Sequence, residues 1–143
     1  IPLPIDNPTI LVSEIFHAGS CPYLLFFDLE NSRWTDMGTV LYGVNSQDKQ
    51  HTEIITIPSD ISKIKIEERE KEITYIDFMS ISYTDASDGQ RKEVSFPKPE
   101  IESIDGLYFL LRKGDFWEID LGSLIPEGSS DLEFLINGYY EIQ

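Results

Sequence analysis

The sequence predicts an all-β domain, an antiparallel β-sandwich of jelly-roll type, and three observations carry that prediction. Apolar and aromatic residues recur with a period of two in short runs. Gly, Pro, Asn and Asp cut those runs at intervals suited to turns. No segment carries the apolar stripe of a long amphipathic helix.

The elements follow in order. Residues 1–8 (IPLPIDNP) hold three prolines. Proline fixes φ and lacks an N–H, so this stretch predicts an extended linker or edge segment, with another domain ahead of it. Residues 9–143 are then expected to form one β-sandwich domain, beginning with the β-formers of 9–16. In 22–29, Tyr23, Leu25 and Phe27 alternate with Leu24 and Phe26, apolar on both faces. That pattern predicts a central strand covered on both sides. Glu30, Asn31 and Ser32 read as a turn, and Trp34 opens a segment in which Val40, Tyr42 and Val44 alternate. Residues 52–57 read as a strand stopped by Pro58, and Ile64 and Ile66 alternate with Lys63 and Lys65 in the next.

The charged run 67–72 (EEREKE) predicts a turn between strands. Residues 75–84 place Met79, Ile81 and Tyr83 on one face, and 93–96 form a short strand ending at Pro97. Lys113-Gly114 predicts a hairpin between 107–111 and 116–121. Leu132, Phe134, Ile136, Tyr140 and Ile142 share one parity, which predicts one continuous last strand with a bulge at Gly138. Nine or ten strands favour a jelly roll over a seven-stranded immunoglobulin sandwich.

Composition bounds the function. Eleven Lys plus Arg stand against 26 Asp plus Glu, a net charge of −15. Phosphate recognition needs clustered cations, so nucleic acid is excluded as a partner. The same balance argues against an anionic membrane surface, and no run of apolar residues is long enough to cross one. It leaves a cationic partner or Ca²⁺ open.

Three stretches carry a resemblance. Ser20-Cys21-Pro22-Tyr23 precedes an aromatic strand and Trp34; 64–70 (IKIEERE) leads into Ile73-Thr74-Tyr75-Ile76-Asp77; the end reads Ile136-Asn137-Gly138-Tyr139-Tyr140. This resembles modules of large bacterial proteins in which an SCPY strand precedes an E-x-E-x-x-Y-I-D strand. It is also similar to galactose-binding-like (discoidin-type) jelly rolls. The resemblance implies an accessory sandwich in a larger secreted or cell-surface protein, and it brings no catalytic residues.

Cys21 is the single cysteine, four residues after His17, and leads directly into an apolar strand. A small buried thiol fits there, so Cys21 is read as structural rather than nucleophilic. One Cys and two unpaired His make no standard zinc site, and no phosphate-binding or nucleophile-elbow motif occurs. Calcium is the cofactor the acids could hold. The galactose-binding-like resemblance implies a site between an early loop and the last strand, drawing on Asp28, Glu30 or Asp36 with Glu141. Carbohydrate would need exposed aromatics, for which Trp34, Tyr42, Trp117 and Tyr139 are the candidates, although each is more often a core residue. Tyr139 has the parity opposite to the core residues and is expected to face outward. Asp77 shares the parity of Met79 and Ile81, so it is expected on the core face, tethered by a loop or by Arg69. The reading that results is a noncatalytic module for protein or interdomain contact. A carbohydrate-binding module is the alternative, and a hydrolase the third.

Overall fold

The computed structural model describes residues 9–10, 22–96, 98, 101, 104 and 106–142. The proline-rich segment 1–8, His17 and Cys21 lie outside the described residues. The strands are β1 Thr9–Ile10, β2 Tyr23–Asp28, β3 Arg33–Thr39, β4 His51–Thr56, β5 Ile61–Glu67, β6 Glu72–Thr84, β7 Arg91–Ser95, β8 Phe109–Arg112, β9 Phe116–Asp120 and β10 Ser130–Ile142. The only helical pieces among the described residues are short 3-10 turns at Gln47–Lys49, Leu121–Ser123 and around Ile101.

The strands form two sheets, so the predicted β-sandwich is the fold of this chain. A six-stranded sheet runs β1-β4-β10-β6-β7, with β8 end to end with β7 along the same side of β6. A four-stranded sheet runs β3-β2-β5-β9. Pairing is antiparallel throughout the described strands except for β1 against β4. Leu24, Phe26, Ile64 and Ile66 from one sheet meet Ile55, Met79, Ile81, Phe134 and Ile136 from the other, all essentially inaccessible. Each such side chain contributes about 1.5–3 kcal/mol when removed from water.

Several elements differ from their prediction. Strand β2 is central, but only its Leu24–Phe26 side faces the other sheet; its opposite face is covered by side chains of its neighbours, as described below. The alternation of Val40, Tyr42 and Val44 is not a strand. β3 ends at Thr39, and Leu41 takes a left-handed φ of 59°. Val40, Leu41 and Val44 nevertheless reach the core while Tyr42 stays exposed. The Lys113-Gly114 turn is not a hairpin, because β8 pairs with β6 and β9 with β5. It carries the chain from one sheet to the other.

The bulge falls opposite Gly138. Asn137 pairs with Phe78 and Gly138 with Ile76, which leaves Asp77 as an extra residue in β6. A bulge reverses the alternation of the strand that contains it. Met79 and Ile81 face the core on one side of it, and Ile76 and Thr74 on the other. Asp77 therefore leaves the core face to which simple alternation assigns it. Gly138 permits the close approach: a Cβ there would sit 2.3 Å from the Tyr75 carbonyl oxygen.

Candidate functional site

The outer face of the four-stranded sheet is built by register. Tyr23, Leu25 and Phe27 of β2 lie beside Asp36 and Trp34 of β3 and beside Glu67, Lys65 and Lys63 of β5. β9 adds Phe116, Glu118 and Asp120. Alternation explains the set: Ile64 and Ile66 fill the core, so the lysines between them must face out.

On this face the cations lie on the rings. The Lys65 ammonium sits 4.5 Å from the centroid of Trp34 and 5.4 Å from that of Phe116. Lys63 lies 5.4 Å over Phe27, and the Arg69 guanidinium 4.0 Å over Tyr23. Phe27 and Trp34 meet edge to face at 5.3 Å. Arg69 also binds Asp36 and Glu67, each at 2.7 Å. Exposed contacts of these kinds contribute about 0.5–1 kcal/mol apiece. Their effect is to align four aromatic side chains in a solvent-facing stripe, with Phe116 57% exposed.

The predicted ligand aromatics do not form one platform. Trp34 is half-buried on this face. Tyr42 is exposed on the loop after β3. Trp117 pairs with Ile66 and so points between the sheets, where it packs against Phe96 and Phe109 with Lys98 over its ring. Tyr139 lies on the outer face of the other sheet by alternation, but it is buried. Tyr75 stacks on it at 4.7 Å and Tyr108 meets it edge to face. Its expected exposure is thus corrected: the chain leading into β8 covers that part of the sheet.

The acids named for calcium are also separated. Asp28 closes the β2–β3 turn, accepting from the Glu30 N–H at 2.9 Å and from Asn31, whose side-chain amide holds its carboxyl below the ordinary range. Glu30 is exposed in that turn. Asp36 is engaged by Arg69 and the Gly38 N–H. Glu141 belongs to the six-stranded sheet and adjoins Tyr75. Among the described residues no three His, Cys, Asp or Glu side chains gather as a metal group.

Asp77 is buried on the outer face of the six-stranded sheet. It accepts from the Gly106 N–H at 3.1 Å and from Gln50 Nε2 at 2.8 Å. Gln50 also donates to Asn137 Oδ1 and accepts from the Tyr108 hydroxyl. This is a loop tether, with Gln50 in place of the expected Arg69.

Sequence reasoning overlooked Tyr23, Phe27, Phe116, Lys63, Lys65 and Arg69 as a set. The signal was present in the alternation of β2 and β5. What it lacked was the pairing that sets those strands side by side.

Comparison of the chain with protein-family models, with curated proteins and with solved structures finds no match. The functional reading therefore stands on geometry.

Proposed function

We propose that this domain is a noncatalytic interaction module that docks a basic protein surface on the outer face of its four-stranded sheet. The observation that carries the reading is the stripe of Tyr23, Phe27, Trp34 and Phe116 threaded by Lys63, Lys65 and Arg69. Aromatic and Arg side chains are the residues enriched where proteins meet, and contiguous apolar area on a soluble domain marks such a place. The net charge of −15 favours a cationic partner over a second copy of the chain, which it would repel. Asp36, Glu67 and Glu118 pair with Arg69 and Lys63 in the free domain, so a partner's cations would compete for them, with Asp120 beside Lys63 at the edge of the stripe. The resemblance to accessory modules of large bacterial proteins agrees with this role.

Selection of a random-peptide display library against the domain tests it. Basic, aromatic-bearing peptides should emerge, bind less tightly as salt rises, and lose binding in Trp34→Ala and Phe116→Ala but not in Tyr42→Ala. Peptides indifferent to both face variants would refute the reading.

A carbohydrate reading draws on a different feature. A cleft of about 380 Å³ is lined by Ser62, Asp120, Glu127 and Ser129 together with Ile61 and Leu121. Carboxylate and hydroxyl groups beside apolar side chains suit the hydroxyl groups of a sugar. An oligosaccharide titration whose heat disappears in Asp120→Ala would favour that reading over protein docking.

A further inference from the structure

We propose that Glu68 and Glu72 form a proton-operated latch between the two sheets. One proton shared by the two enclosed carboxyls keeps the corner closed, and its loss in alkaline solution opens it.

The latch sits where the chain crosses between sheets twice. Residues 68–71 carry it from β5 to β6, and residues 113–115 carry it back from β8 to β9. The two crossings are bonded to each other: the Gly114 N–H donates to the Glu68 carbonyl at 2.9 Å, and the Glu68 N–H donates to the Asp115 carbonyl at 2.9 Å. The sequence reads this stretch as a charged turn between strands. Yet Glu68 is 0% exposed and Glu72 2%.

Their surroundings are unequal. Glu68 accepts from the Thr74 hydroxyl and from the Glu70 N–H. No N–H or hydroxyl among the described residues reaches either oxygen of Glu72. An enclosed carboxylate with no donor is very costly, and two of them side by side more so. The economical arrangement puts a proton on Glu72 and points it at Glu68. Burial, then the hydrogen bond to Glu68, accordingly push the Glu72 carboxyl up to about 9, and Glu68 is raised as well, chiefly by burial.

The neighbouring charges offer no substitute for that proton. Glu70 adds further negative potential. Arg69 is turned away to Asp36, Glu67 and the ring of Tyr23. Lys71 and Lys113 are exposed. Arg112 pairs with Ile73 and so lies on the opposite face of the sheet. The Asp115 carboxylate is held by the Arg112 N–H. From β10, Ile142 lies opposite Glu72, and Tyr140 opposite Thr74 contributes a phenol. Glu53 and Asp77, the other enclosed acids of that sheet, have donors of their own, Glu53 from the Leu41 N–H and Asp77 from the Gly106 N–H and Gln50.

The sign follows from linkage. The unfolded chain releases the Glu72 proton near the ordinary value of 4.5, whereas the folded chain keeps it to about 9. Stability is complete below the lower value and falls as pH rises toward the upper one. Because Arg69 adjoins Glu68, opening the latch also loosens its grip on Tyr23 and Asp36. The latch itself does not depend on the docking reading.

Carbon-13 NMR of glutamate-labelled protein gives the direct test. A Glu72 carboxyl in its protonated form at pH 7, titrating only in alkaline solution, is the expected result. Exchange of the Gly114 and Glu68 amides should then accelerate through that titration beyond the intrinsic base-catalysed increase. In Glu72→Gln, whose amide can donate to Glu68, the extra acceleration should vanish and the Tm should stop falling with pH. An ionised Glu72 at pH 7 would overturn the proposal. So would a Tm that rises on adding calcium or potassium at pH 8 and loses that response in Glu72→Gln, since the pair would then hold a metal ion. The wild-type titration decides the matter even if the variant fails to fold.

Discussion

At the scale of single residues, burial decides what each acid does. Asp77, Asp85 and Glu72 are all nearly inaccessible, and each solves the problem differently. Asp77 uses an N–H and an amide from other segments. Replacing it with Ala should cost about 1–3 kcal/mol in chemical denaturation, because the donors of Gly106 and Gln50 lose their acceptor. Exchange at the Gly106 amide should rise in the same variant. Asp85 instead takes the Lys92 ammonium at 2.7 Å and the Ser87 N–H and hydroxyl. Those contacts, the Lys92 bond first, lower its carboxyl from 3.8 to about 2. A depressed value stabilises the fold above the unfolded value, and the contribution is lost as pH falls through the folded one. Thermal melts of Asp85→Asn should therefore show a flatter acid limb than wild type between those two values, and a lower Tm at neutral pH.

At the scale of elements, one strand defect organises the six-stranded sheet. The extra residue in β6 reverses its alternation, so Ile76 and Met79 both reach the core although their spacing is odd. It also brings β10 against the β6 backbone at Gly138 with no room for a side chain. Gly138→Ala should thus destabilise the domain by about 3 kcal/mol, at the upper end of the overpacking range, since the obstructing atom is a backbone carbonyl that cannot rotate aside. Equilibrium unfolding in urea would measure it, and an unchanged midpoint would mean that the two strands are not in this register. The turns show a related economy. Lys113-Gly114 has hairpin chemistry, with Gly114 at a φ of 91°, yet it joins strands in different sheets. Turn residues specify a local reversal; which partner a strand takes afterwards is set by where its apolar face can be buried.

At the scale of the whole molecule, charge acts on both stability and association. A net charge of −15 on 143 residues opposes compaction. Added monovalent salt screens that repulsion, so the Tm should rise with ionic strength while binding of a basic peptide weakens. Opposite responses to one variable would separate the molecule's own field from the field between partners. If Tm and binding moved together with salt, long-range charge would not be what selects the partner. The two enclosed carboxyls of the corner respond to pH more than to added monovalent salt, because screening acts far less on enclosed charges than on exposed ones.

The sequence by itself determined the fold class, since period-two patterning and turn chemistry are local properties that survive without knowing which strands touch. It also read the continuity of β10 and an irregularity at Gly138, whereas the extra residue in β6 and the close approach that requires glycine there came from the pairing. It located the alternating lysines and aromatics of β2 and β5, though not their meeting. Only the tertiary structure decided the rest. Pairing register placed Lys65 over Trp34 and turned Trp117 inward. The bulge moved Asp77 to the outer face. The arriving β8 segment buried Tyr139, and the double crossing enclosed Glu68 and Glu72 inside a run of charges that reads as a turn. The physical reason is common to all of these. Alternation says which side of its own strand a residue occupies, whereas burial and pairing depend on what a distant part of the chain lays over that side.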